Sequence, residues 1–226
     1  MEVAELWRYP VKSMAGERIR TAELGDRGIP GDRRLAAFEL APHPKEKRLS
    51  ARDLASLLRF RASLSSGSAQ VAGPELDLSP WDDDAVRSML SRVCRRELEL
   101  RPMPEGAFDD APIMLLHLAT VAALSEELGA DVDHRRFRAN IYLQGEGMEA
   151  HQEPQLVGRE LRCGGAVLQV TDRCPRCSIT TRDPDSFANW PQLLRHLVQS
   201  HDEVVGVYCW VKEPGRIKEG DNVELV

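Results

Sequence analysis

The stretch DRCPRCSITTRDPD, residues 172–185, is the most specific pattern in this 226-residue chain, and two cysteines lie near its centre. Cys174 and Cys177 are spaced to share a metal ion, to form a redox pair or simply to pack inside a loop. Structural zinc needs four protein ligands, and no second Cys or His pair follows at the usual spacing. A thioredoxin-type redox pair should begin a helix, whereas this pair follows a strand-like run and precedes an Asp-Pro loop. All three interpretations therefore stay open at this point.

Three arginines flank the two thiols, at positions 173, 176 and 182. A cationic neighbour stabilises the thiolate, which is the form that ligates soft metals and attacks sulfur. The arginines therefore favour a chemical role for this segment over simple loop packing.

The composition is that of an ordinary globular protein, with 42% hydrophobic and 29% charged residues. The longest apolar stretch, Pro112 to Leu124, is too short to cross a bilayer. Glu2 and Glu5 stand where a signal peptide would be positively charged, and five cysteines, an odd and sparse set, argue against a disulfide scaffold. We therefore expect a cytoplasmic protein with no membrane contact. The net charge of −6 argues against nucleic acid as a partner.

The charge is unevenly distributed along the chain. Residues 1–60 carry 12 basic and 9 acidic side chains, a balance of +3, whereas the remainder carries a balance of −9. A basic first quarter suits a pocket for a small anion, although scattered solvated charges explain the same numbers.

Short strand-like runs outnumber helical ones, so the sequence predicts a mainly β fold with a few helices, of the α+β class. Three helices are expected: one beginning at Pro80 behind Ser79, one over residues 119–128 that ends at Gly129, and one over Pro191–Ser200. Two segments are expected to lack regular structure, a hairpin loop at residues 41–47 and a turn or short linker at residues 65–73. A soft boundary near residue 105 divides the chain into residues 1–105 and 106–226.

Further motifs accompany the cysteine run, in a fixed order from residue 8 to residue 221. They are YPVKS at Tyr9–Ser13 with Gly16, GDRR at residues 31–34, FRAN at residues 137–140, and PGRI with GD at residues 214–221. Together with CPRCSITTRDPD, this series resembles the signature of the MOSC family, over nearly the whole chain.

The resemblance implies an architecture and an activity. The fold would be an N-terminal β-barrel-like domain at residues 1–105, packed on a MOSC β-barrel domain at residues 106–226, as in the mitochondrial amidoxime-reducing components and their bacterial relatives. Such proteins carry the molybdenum cofactor (Mo-molybdopterin). The implied activity is reduction of a small N-hydroxylated compound, or a related N-oxide or S-oxide, with an external electron-transfer protein or reductase as partner. Two alternatives stay open: a sulfur carrier with a cysteine persulfide, and a non-catalytic cofactor-binding module.

The resemblance also implies roles for individual residues. Cys177 matches the molybdenum ligand and is therefore the expected catalytic residue, while Cys174 would support the loop as a small buried group. The expected cofactor contacts are Lys12, Ser13 and Arg33 for the pterin phosphate, Arg138 and Asn140 for the pterin, and Pro175 and Arg176 beside the metal. A phosphate is well matched by a mixture of Lys, Arg and hydroxyl donors.

Some residues depart from the family pattern or are expected to serve the fold. Ala139 replaces the usual proline of the FRAN block, and His117 stands where relatives have Ser or Thr at a helix start. We expect His117 to be a helix-end or core residue. The segment His134–Arg136 fits either the anion pocket or a solvated turn, and we favour the turn. His196 and His201 lie five positions apart, which is off the spacing for a shared ligand site on one helix face.

Overall fold

A computed structural model describes residues 1–40 and 47–226. Most of the hairpin loop expected at residues 41–47 thus lies outside the described residues. The chain forms two compact units: the larger contains residues 1–7, 18–30 and 109–226, and the smaller contains residues 8–17 and 31–108. The chain leaves the smaller unit for the last time after residue 108, close to the predicted boundary near residue 105. The larger unit also contains two N-terminal segments, residues 1–7 and 18–30.

The described residues form sixteen strands, three α-helices and four short 3-10 turns. The strands are β1 (Glu2–Arg8), β2 (Glu17–Ile19), β3 (Thr21–Leu24), β4 (Leu35–Glu39), β5 (Lys47–Leu49), β6 (Arg61–Ser65), β7 (Ser68–Gly73), β8 (Leu76–Pro80), β9 (Leu98–Pro102), β10 (Ile113–His117), β11 (Ile141–Gln144), β12 (Glu160–Cys163), β13 (Ala166–Pro175), β14 (Val204–Glu213), β15 (Gly215–Lys218) and β16 (Val223–Leu225). The helices are α1 (Asp84–Cys94), α2 (Leu118–Leu128) and α3 (Pro191–Ser200), and the 3-10 turns are Ala55–Arg59, His134–Phe137, Glu153–Leu156 and Ser178–Thr181. The predicted mainly β fold with a few helices is confirmed.

An eight-stranded sheet organises the larger unit, in the order β16-β12-β13-β14-β10-β11-β1-β2. Its two ends approach each other at an isolated bridge between Glu2 and Asn222. Among the described residues no continuous ladder closes the sheet, so it is barrel-like without being a closed barrel. A separate ribbon pairs β3 with β15.

Strand β10 shows why this sheet is stable, since all five of its residues are buried. Side chains alternate between the two faces of a strand. Ile113 and Leu115 therefore pack into one core, while Met114 and Leu116 pack into a second core with residues of α2 and α3. Burial on both faces explains the continuous apolar run that the sequence shows here.

The smaller unit contains two three-stranded sheets, β5-β4-β9 and β6-β7-β8, together with α1. Its own core includes Phe60, Leu57, Leu90 and Leu98, all fully buried. The apolar face of α1 supplies Val86, Met89, Leu90 and Cys94 to this core.

Two sequence predictions in the smaller unit are wrong. Ser79 and Pro80 end strand β8, where they pair with β7, and α1 begins four residues later with Asp83 as its N-cap. The Asp83 carboxylate accepts the amide of Ala85 at 2.7 Å. Residues 65–73, expected to be a turn or linker, form the end of β6 and all of β7, with a two-residue turn at Ser66 and Gly67.

The predicted helices at 119–128 and 191–200 are confirmed within one residue. Gly129 ends α2 in the left-handed conformation with φ 59°. His117 is the N-cap of α2, and its Nδ1 accepts the amide of Ala119 at 3.1 Å. His117 is also 3% exposed, so the expectation of a helix-end residue is confirmed. Burial lowers the pKa of His117, which keeps the ring neutral and able to accept this bond.

Candidate active site

The two thiols of the CPRC motif occupy different environments in the larger unit. Cys174 lies near the end of β13 and is 1% exposed, whereas Cys177 is half-buried. Cys177 precedes the 3-10 turn Ser178–Thr181, and its carbonyl oxygen accepts the amide and the hydroxyl of Thr180. The expected burial of Cys174 is confirmed. Of the pair, Cys177 is the thiol that solvent or a small ligand can reach.

The side chain of Arg176 runs back beneath the loop to the buried thiol. Its Nη1 donates to Cys174 Sγ at 2.8 Å and its Nη2 donates to the carbonyl of Phe137 at 2.7 Å. Its Nε is buried and has no hydrogen-bond partner among the described residues. Burial lowers the pKa of Arg176, but the facing Cys174, Tyr208 and Cys177 outweigh it, so the pKa is raised and the guanidinium stays charged. Arg176 therefore holds a fixed positive charge at the buried thiol of the motif.

Tyr208, on β14, is the third polar group at the buried thiol. Burial is the largest cause of a raised pKa at Tyr208, and the charge of Cys174 and a hydrogen bond with it act in the same direction. The phenol therefore keeps its proton and can donate to Cys174. Cys174 is thus part of a buried polar cluster with Arg176 and Tyr208.

The acidic residues of the DPD segment form ion pairs with the turn that precedes the FRAN block. Asp183 accepts Arg136 Nη2 at 2.7 Å, and Asp185 accepts Arg135 Nη2 at 2.5 Å. The backbone amide of Ser186 is the largest cause of a lowered pKa at Asp183, which keeps this carboxylate ionised. Ion pairs therefore connect the DPD segment to the turn that precedes the FRAN block.

The prediction that residues 134–136 form a solvated turn is wrong for Arg136. This side chain is 8% exposed, and its guanidinium lies 5.6 Å from the centre of the Trp190 ring. Its Nε and Nη1 are buried without a partner among the described residues. Burying donor N–H groups without an acceptor is costly, so these two nitrogens favour an acceptor from outside the chain. The ion-pair partner of Arg136, Asp183, lies 47 residues away, so sequence spacing did not reveal that contact.

Of the two FRAN residues expected to contact the cofactor, Arg138 has a left-handed backbone with φ 57° directly after the turn His134–Phe137. Asn140 is fully buried. Its Oδ1 accepts the amide of Met114 at 3.2 Å, and its Nδ2 donates to the carbonyl of Trp7 at 3.2 Å. Asn140 thus joins the strands β1 and β10, and its contact with a cofactor stays a prediction.

Replacing Asn140 by alanine is expected to lower the free energy of unfolding by about 1–3 kcal/mol, because a buried amide and a carbonyl lose their partner. Urea denaturation measures this difference. The matched control is Asn222→Ala, since Asn222 is exposed and its amide bonds the side chain of Glu224. Equal urea midpoints for the two variants would contradict this role of Asn140.

The three residues expected to bind phosphate lie together in the smaller unit. Lys12 is 9% exposed, and its Nζ donates to the carbonyl of Ala107 at 2.6 Å. Ser13 has a left-handed backbone with φ 71°, and its Oγ accepts the amide of Ala51 at 2.8 Å.

Arg33 also has a positive φ, 48°, and its Nη1 donates to Asp32 at 2.5 Å. The guanidinium lies 5.0 Å from the centre of the Tyr9 ring. Both basic side chains, Lys12 and Arg33, are therefore held in place by contacts within this unit. Pro175, the remaining predicted contact, is exposed at the end of β13 in the larger unit.

Comparison with known proteins identifies the family of this chain. The model of the MOSC domain matches residues 102–224, and that of the MOSC N-terminal beta barrel domain matches residues 1–80. The chain belongs to the MOSC family. The resemblance to the MOSC family that the sequence suggests is therefore confirmed.

Three relatives of this MOSC chain extend over most of its length. Human mitochondrial amidoxime-reducing component 1 is 23% identical and its mouse counterpart 24% identical, each over 99% of this chain and 82% of the relative. The molybdenum cofactor sulfurase of Caenorhabditis briggsae is 23% identical over 96% of this chain and 35% of that protein. Among solved structures, the YUAD protein from Bacillus subtilis has a TM-score of 0.55 at 14% identity, covering 99% of this MOSC chain and 94% of YUAD. This structural likeness shows that the fold is shared. No helix of the described residues has both the length and the apolar character needed to span a membrane.

Proposed function

We propose that this protein binds the molybdenum cofactor and reduces N-hydroxylated compounds, with Cys177 as the protein ligand of molybdenum. The observation that carries the proposal is the pair of environments in the CPRC motif: an accessible thiol at Cys177 beside the fixed charge of Arg176. Thiolate is a soft ligand that suits a metal already bound by sulfur. Homology to a molybdenum cofactor sulfurase supports a function linked to the molybdenum cofactor, and homology to amidoxime-reducing components supports the reductase activity among the alternatives.

The donors in the larger unit fit an anionic, sulfur-rich cofactor. Arg136 and Arg176 keep three buried N–H groups without partners among the described residues. A pterin offers carbonyl and ring-nitrogen acceptors, and its dithiolene adds negative charge, so the cofactor would satisfy donors of this kind. Arg138, Asn140 and Pro175 are the further proposed pterin contacts. Lys12, Ser13 and Arg33 are the proposed phosphate contacts, as a cationic and hydroxyl set suits that group.

When bound, the cofactor would supply a two-electron centre that removes the oxygen atom of an N–OH group. The balance is that an amidoxime, two electrons and two protons give an amidine and water. The chain itself would present the thiol of Cys177 and the fixed positive charge of Arg176 to the anionic cofactor.

The two electrons must come from a separate donor. Apart from the CPRC motif, the chain has three cysteines, Cys94, Cys163 and Cys209, all buried. Burial raises the pKa of each of these thiols, to about 12 for Cys163. They also lie apart from one another and from the CPRC motif in the sequence, without the spacing of a four-cysteine iron–sulfur site. We therefore propose an external electron-transfer protein or reductase as the physiological partner.

Two measurements test this function together. The purified chain is analysed for molybdenum and for pterin, and it is then assayed for reduction of an aromatic amidoxime with a chemically reduced viologen dye. We expect one molybdenum and one pterin per chain, with amidine produced. The control is the same protein expressed without molybdate, which should produce none.

Each other outcome rejects the proposal in favour of an alternative. Bound molybdenum and pterin without amidine formation would identify a non-catalytic cofactor-binding module. A chain without molybdenum but with a labelled persulfide would identify a sulfur carrier. In that case Cys177 is the candidate carrier, since Cys174 is buried and bonded to Arg176.

A further inference from the structure

Three histidines surround one carboxylate in the larger unit, outside the motifs described so far. Glu127 lies in the last turn of α2, and it contacts the Nε2 atoms of His151 at 3.1 Å, of His196 at 2.5 Å and of His201 at 2.7 Å. We refer to these four residues as the histidine cluster. His151 approaches one oxygen of Glu127, whereas His196 and His201 approach the other.

Sequence spacing did not predict this cluster: His196 and His201 are off the spacing for one helix face, yet both contact the same oxygen of Glu127. That spacing applies only when both residues lie on one helix. His196 lies within α3, but His201 follows its last residue and leaves the helical path with φ −133°. His151 comes from the loop before the turn Glu153–Leu156, and its ring stacks on that of His201 with centres 4.0 Å apart.

The geometry of the cluster is close to that of a metal site. One ligand atom each from Glu127, His196 and His201 lies within 4.8 Å of the other two. A tetrahedral zinc ion, with bonds of about 2.0–2.2 Å, holds its ligand atoms roughly 3.4 Å apart. The three ligand atoms therefore lie close to the separation that a bound zinc ion requires.

A cavity adjoins the histidine cluster. Two members of the cluster, His151 and His201, line this cavity of about 250 Å³ together with Glu153 and Arg173. Glu153 is 1% exposed; its Oε1 accepts the hydroxyl of Thr120 at 2.7 Å, but its Oε2 has no partner among the described residues. A buried carboxylate oxygen without a donor is costly, and a cation or a water bound to a cation would satisfy it.

Glu127 lies at the C-terminal end of α2. The C-terminal end of a helix carries partial negative charge, so an anionic side chain there is unfavourable. The last turn of α2 contains Glu127 and no basic residue. A bound cation would offset both this end of the helix and the carboxylate.

We propose that Glu127, His196 and His201 bind one zinc ion, with His151 as a positioning residue for Glu127. Imidazole and carboxylate are ligands that zinc accepts readily. His151 fits the positioning role because carboxylates that bind a metal usually receive a further hydrogen bond on their outer side. Three protein ligands leave the fourth zinc position for water or a small ligand. The ion would join α2 to α3 and to the residue after it.

Zinc binding is tested on the full chain, stripped of divalent ions by a chelator and checked for unchanged molybdenum content. Calorimetric titration with zinc sulfate should show one site per chain. Titration with cobalt(II) should give the visible bands of a four-coordinate ion without a thiolate charge-transfer band in the near ultraviolet. The variants are His196→Gln, His201→Gln and His151→Gln, in which the amide can still bond Glu127.

The matched control is His134→Gln. His134 is half-buried in the same unit and bonds the carboxylate of Glu5 at 3.0 Å, but it is the one imidazole in that pair. We expect His196→Gln and His201→Gln each to weaken zinc binding by at least about tenfold, His151→Gln to weaken it less, and His134→Gln to leave it unchanged.

Three results would overturn the proposal. Absence of zinc uptake by the wild-type chain would make the cluster a set of hydrogen bonds on one carboxylate. Binding equal to wild type in His196→Gln and His201→Gln would place the ion elsewhere. A thiolate charge-transfer band with cobalt would place it at the CPRC motif.

Discussion

Replacing Cys177 by serine is expected to abolish reduction of an N-hydroxylated substrate while much of the pterin stays bound. Serine keeps the shape of the side chain, but its hydroxyl is a harder and far less acidic ligand, so the redox behaviour of the metal changes. Retention of pterin follows from the number of other proposed contacts, which the variant leaves intact. The measurement is activity per bound molybdenum, with pterin quantified in the same sample.

The matched control for this prediction is Cys174→Ser. Serine at this position can still accept from Arg176 Nη1, so the buried cluster keeps its hydrogen bond and most activity should remain. An active Cys177→Ser beside a folded, cofactor-loaded but inactive Cys174→Ser would mean that the ligand is the other cysteine. Full activity in both variants would exclude thiolate ligation.

The double variant Lys12→Ala, Arg33→Ala is expected to lose most of its bound cofactor. Each basic side chain would contribute a charge-assisted hydrogen bond to the phosphate, worth roughly 1.5–3 kcal/mol. Loss of both corresponds to binding weaker by roughly 100- to 10,000-fold. Pterin content of the purified protein measures the effect.

Two controls separate binding from folding in that experiment. Arg34→Ala removes the neighbouring arginine, whose Nη1 bonds the carbonyl of Pro104, and should leave pterin content unchanged. Because Lys12 and Arg33 also bond Ala107 and Asp32, the cofactor-free double variant is compared with cofactor-free wild type by thermal unfolding. A folded double variant with full cofactor occupancy would show that these residues do not hold the phosphate.

The parts of the fold that the sequence predicts well are those with strong local signals. Helices α2 and α3 were placed within one residue because Gly129 ends the first and Pro191 begins the second. Strand β7 has no such signal: its sequence, Ser-Ala-Gln-Val-Ala-Gly, is small and polar. It is a strand because β6 and β8 pair with it on both sides, which is tertiary information.

Pro80 shows how one local signal can mislead. Proline is favoured at the first position of a helix, and three aspartates follow it, so the sequence fits a helix start. Proline also suits the end of an edge strand, and the pairing of Pro80 with Gln70 decides between the two.

In the candidate site, too, local features could be predicted from the sequence and long-range contacts could not. The CPRC motif was recognisable because all its residues lie within one short stretch, and the predicted contrast between a buried Cys174 and a more accessible Cys177 agrees with the structure. Burial of Arg136 and convergence of His151 and His201 depend on residues far apart in the chain. Sequence spacing cannot predict such contacts, because they result from the packing of separate elements.

The ribbon of β3 and β15 has a consequence for protein synthesis. Thr21–Leu24 pairs with Gly215–Lys218, so 191 positions separate the end of the first strand from the start of its partner. At a translation rate of roughly 5–20 residues per second, β3 is synthesised ~10–40 s before that partner is made. During this interval its N–H and C=O groups are unpaired along one edge, which invites pairing with other nascent chains. High contact order of this kind also slows folding after release. The yield of folded protein should therefore depend on how well chaperones cover the first thirty residues while the rest is being translated.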